Sequence, residues 1–408
     1  MYRGNWIVGR AVDAVADDMT RAGIEITGSI APERITQITK ALSTRGVWVG
    51  LLKALKWGRL YGGSIAVIDI AGQDWETPFD VETVGPGQFA GLRVHDRWEL
   101  RADLNRLIQA GQFAGLPEFY QIVPIVIGGQ VSRWVHYSRC IRFAGDELPV
   151  IEAIAEELWG QSVIERIEDR VVAFDTVTHS AAGLVFKAHL RTVQIDGLRQ
   201  VLAVGGEAEE GLLKMFDSMR LLQQNEGLTL LDKDDIFSTS SYTFAGLSDL
   251  IMQFGMQISG ATGIPLVRLF GQSPTGMNAT GESDIRMYYD TIKVAQETDL
   301  RDGLMFILQI LHRSMFGAPL PDDFDFEFCP LWQPLQTEKI AMAQAVATLV
   351  TGLYDAGLFD RKIALEELKQ ASEYTGIGTN ISQEDIDSAV DIPAVLPEPD
   401  PGLAQLTF

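Results

Sequence analysis

A loop punctuated by glycine and proline that opens into a very long helix constrains this chain more than any other feature. Gly271, Pro274, Gly276 and Gly281 fall within eleven residues and disfavour regular structure, while Gln272, Ser273, Thr275, Asn278 and Thr280 keep the segment polar without charge. From Glu282 onward, apolar residues recur at helical spacing: Ile285, Tyr288, Ile292 and Ala295, then Leu300, Leu304, Ile307, Leu308, Leu311 and Met315. Glu282 and Asp284 occupy the first turn, where the helix dipole favours anions. A helix from Glu282 to Phe316 extends ~50 Å and crosses a whole domain. A Gln296–Glu297 pair interrupts its apolar stripe.

The loop has the outline of a phosphate cradle, with Gly271 and Gly276 correctly spaced. Met277 and Asn278, however, stand where the phosphate-binding lysine and the metal-binding hydroxyl belong, so nucleotide chemistry is not expected there. Other constellations fail in the same way. Asp232, Asp234 and Asp235 resemble a calcium loop, but Phe237 replaces the required glycine and Thr243 the closing glutamate. None of the histidines at 95, 136, 179, 189 and 312 forms a metal pair at helical spacing. His136, close to Ser138 and Arg139 at the entry to a strand, reads as a turn cap. Cys140 and Cys329 are too few for a disulfide framework and read as structural thiols. No cofactor is expected.

The 408 residues suggest two or three structural units, and 46% hydrophobic content excludes global disorder. No run approaches the ~20 apolar residues of a membrane span, and the N-terminus lacks a signal-peptide core, so a soluble, unexported protein is expected with no membrane partner. A net charge of −22 argues against tight sequence-specific DNA binding, but it suits a body that nucleic acid must pass without sticking.

The remaining segments read as a mixed α/β first third followed by helices. Asn5 caps a helix with apolar face Ile7, Val8, Ala11, Val12, Val15 and Met19, ending at Gly23. A second helix starts at Pro32 and, with a break near Gly46, reaches Trp57. Strands are expected at 64–70, 91–100, 119–127 and 138–143. Ser162 and Glu165 form a capping box for a helix to about Phe186. Helices at 208–224 and 244–262 flank a short hairpin at 228–244, and helices at 337–356 and 361–372 follow a proline-rich crossing. Residues 384–408 carry six acidic residues, four prolines and no Lys or Arg, which reads as an extended acidic tail.

With these residues in view, the chain resembles the portal proteins of tailed phages, in particular a prophage portal-like family formerly of unknown function. The resemblance rests on Tyr2–Val8 through Asp17–Gly23, on Val135–Gly145, and on Gly263–Glu282 with Gln296–Glu297 following. It implies an α+β portal-like fold: a mixed α/β wing (1–160), a wing helix and two stem helices bracketing a small β clip (161–263, clip about 227–243), and a tunnel-type loop (264–281). A long helix returning to the wing (282–336), a helical crown (337–383) and the acidic tail (384–408) complete it. It implies a homo-oligomeric ring, typically of twelve subunits, at a capsid vertex, assembled in the host cytoplasm. Through that ring double-stranded DNA is packaged and ejected, with the terminase large subunit, the major capsid or scaffold protein and a head–tail adaptor as partners. The DNA-facing candidates are then Gln272, Ser273, Thr275, Asn278 and Thr280. The clip or docking candidates are Asp232, Lys233, Asp234 and Asp235. No catalytic residue is implied. Relatives usually carry further sequence ahead of the segment matching Tyr2.

Two rival readings follow from the same residues. Proteins near this family are linked to degradation of cyclic-nucleotide defence signals, a chemistry resembling a two-histidine phosphodiesterase with paired His-x-Thr motifs. Here Arg97, Ser138, Ala181, Arg191 and Ser314 occupy the positions two after the histidines, so the motif is absent. The other rival is a non-channel structural adaptor of a phage-like particle.

Overall fold

The computed structural model of the chain describes residues 1–123, 132–187, 189–194, 198–225, 236–241, 246–271, 280–332 and 336–389. In chain order the elements begin with α1 (Trp6–Arg21), β1 (Ile24–Thr27), α2 (Pro32–Thr44), α3 (Val47–Tyr61), β2 (Gly63–Ile70), β3 (Phe89–Asp96), β4 (Leu100–Ala102), β5 (Phe119–Ile122), β6 (Arg133–His136) and β7 (Cys140–Ala144). Next come α4 (Val150–Ala155), α5 (Val163–Lys187), β8 (His189–Gln194), α6 (Leu198–Val204), α7 (Glu207–Asn225), β9 (Ile236–Ser241), α8 (Leu247–Thr262) and α9 (Leu266–Phe270). The chain continues with α10 (Thr280–Ala295), a π turn (Gln296–Leu300), α11 (Arg301–Phe316), β10 (Asp325–Phe328), α12 (Gln336–Asp355), α13 (Arg361–Thr375) and α14 (Gln383–Asp387). Two compact units result, 1–329 and 330–408.

The first helix forms where its apolar face predicts. Asn5 Oδ1 accepts from the backbone N–H of Ile7 at 3.0 Å and of Val8 at 3.3 Å, and Asn5 Nδ2 donates to Asp175 on α5 at 2.7 Å. One side chain therefore caps α1 and ties it to α5. Asn5→Ala is expected to lower stability by about 1–2 kcal/mol in urea unfolding, at the upper end of a lost cap because the tie to α5 goes with it.

Gly46, in the left-handed region with φ 66°, separates α2 from α3, as its position in the apolar pattern anticipates. The wing sheet has the order β3-β2-β7, all antiparallel, and β2 is buried along nearly its whole length, as expected for a central strand. A second sheet, β4-β5-β6, packs beside it through Trp75, Leu100, Tyr120, Val135 and Trp159.

Several pairings differ from the sequence-based expectation. β1 pairs with β10, Ile24 opposite Phe328, and neither strand is among the expected ones. Of the predicted 228–244 hairpin only 236–241 is among the described residues; it forms β9, which pairs with β8, upstream of α7. The expected strand at 91–100 is broken by a 3-10 turn at Arg97–Glu99, where the Asp96 carboxylate accepts from the N–H groups of Trp98 and Glu99. The start of the expected acidic tail is α14, with a capping box between Ser382 and Asp385.

The long helix runs from Thr280 to Phe316 but widens at the Gln296–Glu297 pair into the π turn. Its buried face includes Leu300, Leu304, Ile307, Leu308 and Leu311, all at most 1% exposed. In the second unit, α12 and α13 pack together, Asp360 caps α13 by accepting from Ile363 N–H at 2.8 Å, and Gly376 ends it in the left-handed region. Among the described residues no helix is long and apolar enough to cross a membrane.

Candidate functional site

The apolar stripe of α1 contains one carboxylate. Asp18 follows Val15 by three residues and Ala11 by seven, so helix geometry turns it inward, and it is fully buried. A buried carboxylate needs donors, and three side chains supply them. Arg21 Nε lies 3.0 Å from Oδ1, Arg268 Nε donates to Oδ2 at 2.9 Å and Nη2 to Oδ1 at 3.2 Å, and Tyr288 Oη donates to Oδ2 at 3.0 Å. Arg268 stands on α9, immediately before the 272–279 segment, and Tyr288 on α10, immediately after it. Both ends of the loop are thereby moored to one side chain of α1.

Further contacts fix the same base. The Phe270 ring sits 5.5 Å from that of Trp6 and 5.7 Å from that of Phe174. Arg21 Nη2 donates to Tyr289 Oη at 3.0 Å, and Gln296 Nε2 donates to Met19 O at 2.7 Å. The last bond uses a residue of the π turn to meet the final turn of α1.

The electrostatics suit a mooring and not proton transfer. The hydrogen bond that Arg268 donates to Asp18 pushes the Arg268 pKa up, against the opposing effect of burial. Burial, and then the charge of Asp18, push the Tyr288 phenol well above its usual range. Both remain donors at any physiological pH.

A cavity of about 800 Å³ lies elsewhere in the first unit, lined in part by Tyr120, Cys140, Arg142, Asp299, Asp302 and Phe306. Burial pushes the Cys140 thiol up, the opposite of what a nucleophile needs. Gln112 Nε2 donates to Asp302 at 3.0 Å, and burial raises the Asp299 carboxyl.

Glu118, His136 and Ser138 have the outline of a catalytic triad. Ser138 Oγ is 2.7 Å from His136 Nδ1, and His136 Nε2 is 3.8 Å from Glu118. Ser138 Oγ, however, also accepts from the N–H of Phe79 at 2.7 Å, and His136 Nδ1 accepts from the N–H of Ser138. The hydroxyl is held between two chain segments, and burial lowers the imidazole pKa. His136 is the cap of the turn at Tyr137–Arg139. Among the described residues no three metal-binding side chains gather.

Of the residues singled out in the sequence, Gln272, Ser273, Thr275 and Asn278 lie outside the described residues, as do Asp232, Lys233, Asp234 and Asp235. Thr280 is the first residue of α10. Sequence reasoning missed Asp18, Arg268 and Tyr288 as a group. The signal available was a carboxylate on an apolar helical stripe, which demands cationic or hydroxyl partners from elsewhere in the chain.

Among curated proteins, the chain is 30% identical to Anti-CBASS protein Acb1 of Sphingomonas paeninsulae over 98% of its own length and 65% of that protein's. It is also 30% identical to Anti-CBASS protein Acb1 of a Caulobacter species, covering 83% of this chain and 55% of that one. An uncharacterized protein of Haemophilus influenzae is 27% identical over 95% of this chain and 85% of its own length. The chain thus spans 65% and 55% of the two longer relatives. Among solved structures, the neck of a native GTA particle computed with C12 symmetry matches with a TM-score of 0.55 at 14% identity, over 90% of each chain. The neck of an empty GTA particle computed with C6 symmetry matches with a TM-score of 0.51 at 13% identity over the same shares. The mixed helix-and-sheet architecture is that of these neck chains. The sequence model of the phage portal protein family matches residues 1–351, and the chain belongs to that family.

Proposed function

We propose that the chain is the subunit of a ring-shaped channel at the vertex of a phage-like particle, where it passes double-stranded DNA and joins head to tail. The observation that carries this reading is the mooring of the 272–279 segment at both ends by Asp18, through Arg268 and Tyr288. A segment held so firmly at its base, and built from uncharged polar residues, suits contact without retention. Gln272, Ser273, Thr275, Asn278 and Thr280 offer hydrogen bonds to a phosphate backbone without the counterion release that makes binding tight. The acidic remainder of the chain repels DNA.

In this reading the wing is 1–160 with the helix that follows, the stem helices flank a small clip at about 227–243, the loop is 264–281, and the crown is 337–383. Asp232, Lys233, Asp234 and Asp235 offer a docking surface for the terminase large subunit or a head–tail adaptor. Twelve copies form the ring. Translocation is driven by a separate ATPase, because the Gly271–Gly276 segment lacks the lysine and hydroxyl of a nucleotide site.

The chain performs no catalysis in this proposal. The names of two relatives favour an enzyme acting on cyclic-nucleotide defence signals, yet no His-x-Thr pair exists in this sequence. His95 pairs with Glu99, His136 caps a turn and His312 Nδ1 donates to Ala318 O, so each is committed to a local partner.

Deleting residues 272–279 in assembling particles tests the reading, with the amount of packaged and retained DNA as the readout. A sharp loss of retained DNA is expected. Particles that fill and hold DNA normally would remove the loop from the mechanism.

A further inference from the structure

Ile151, 83% exposed, and Val150, 75% exposed, are the two most exposed large apolar side chains among the described residues, and Ile154 joins them on α4 at 57%. They are not on a loose loop. Gly145 and Gly160 both donate their N–H groups to Gly62 O, at 2.8 and 2.9 Å, and Asp146 and Gln161 exchange backbone hydrogen bonds at 3.0 and 2.8 Å. Arg142 binds Leu158 O and Arg97 binds Glu156, fixing the far side of the stalk. The chain therefore holds an apolar knob out in solvent on a closed neck, and such a patch marks a contact surface. Residues 146–157 around it carry five carboxylates and no cation.

A surface of opposite character lies across the same sheet. The stalk leaves from β7, one edge of the β3-β2-β7 sheet, and β3 is the other edge. The helix α3 spans that sheet, with Gly50 against Leu92 of β3 and Gly58 against Phe143 of β7. Val49, 69% exposed, therefore marks the β3 edge, and exposed Lys53 follows one turn later. Residues 32–59 hold six cations against a single carboxylate, in a chain of net charge −22. Lys56 is engaged by Asp13 and Asp17, Arg59 by carbonyls of α1, Arg45 by Phe89 O, and Arg34 by the Phe316 ring. Lys40 and Lys53 are exposed and form no ion pair among the described residues.

We infer that α4 of one copy of this chain docks, through Val150, Ile151 and Ile154, onto the Val49–Lys53 face of the next copy, with the carboxylates around α4 opposite Lys40 and Lys53. Two acidic chains repel on average, so a stable contact needs a local match of opposite sign, which these two faces offer. The faces are different and sit at opposite edges of one sheet, so the contact is head to tail, the type that closes into a ring when the rotation allows. The inference rests on the ring reading above and adds which surfaces meet.

Cysteine pairing tests it with exposed positions that leave folding intact. Full-length chain carrying Ile151→Cys is mixed with full-length chain carrying Val49→Cys and oxidised, and linked dimers are read on non-reducing gels. The mixture is expected to give about tenfold more dimer than either protein alone, and a chain carrying both substitutions to give a ladder. Ile151→Asp should raise the concentration of half-assembly, read by native mass spectrometry, at least about tenfold with an unchanged melting curve. Rings formed by the unsubstituted chain without the Ile151–Val49 link, or surviving Ile151→Asp, overturn this contact and leave the ring reading standing. Equal dimer in the single-variant samples overturns the head-to-tail geometry. An unsubstituted chain that stays monomeric at every concentration overturns the ring reading and this contact together.

Discussion

Replacing Asp18 by alanine is expected to lower unfolding free energy by about 3–5 kcal/mol, the range for removing one partner of a buried ion pair. The substitution strips the acceptor from Arg268 and Tyr288 at once and leaves Arg21 with only Tyr289, and the Tyr288 hydroxyl lies in a buried side chain. Asp18→Asn keeps the shape and one acceptor oxygen and should cost less, so the difference between the two variants separates charge from packing. The loop should also respond: limited proteolysis between Phe270 and Tyr288 is expected to quicken in both variants, more than cleavage elsewhere. A chain that loses neither stability nor protection would show that the mooring is dispensable.

The second large effect is expected at Gly62. Its φ of 79° lies in the left-handed region, and a Cβ there would sit 2.2 Å from the backbone oxygen of Gly160. Neither problem has a side-chain remedy, because the obstructing atom is main chain and its neighbour Gly145 is as tightly packed. Gly62→Ala should cost about 3 kcal/mol or more, from left-handed strain of roughly 1–2 kcal/mol plus displacement of the packed turn. Urea unfolding measures the loss. Gly72 offers the control: its φ is 82° but nothing lies within 4 Å of the added carbon, so Gly72→Ala should cost only the conformational part. Equal losses at the two sites would refute the steric argument.

What could be read in the sequence was what depends on nearby residues. The face of α1, its Asn5 cap and the break at Gly46 follow from helical spacing and from glycine's access to positive φ, and all three stand in the structure. The pairing of Ile24 with Phe328 joins opposite ends of the first unit, and no local pattern encodes it. The pairing of the short strand β9 with β8, upstream of α7, is likewise not encoded locally, because register is decided by tertiary packing. The Asp18 site falls between these cases. Its inward position was legible from the helical phase, but the identity of its distant donors, Arg268 and Tyr288, was not. The π turn left a visible trace, since the apolar positions step by three or four until Ala295 and then by five to Leu300.

That wide turn also sets a rule about length. A π turn rotates the chain less per residue than an α-helix does, so removing one residue between Gln296 and Leu300 would turn the step of five from Ala295 to Leu300 into an ordinary helical step of four. Leu304, Ile307 and Leu308 would stay on the core side with Tyr288 and Ile292, and the loss would fall on Gln296 and its bond to Met19 O. A deletion in the regular turns on either side would instead rotate all that follows by about 100° and carry one set of apolar residues off the core. Among natural variants, a change of one residue within this helix is expected at the wide turn, and none between Tyr288 and Ile292 or between Leu304 and Leu308.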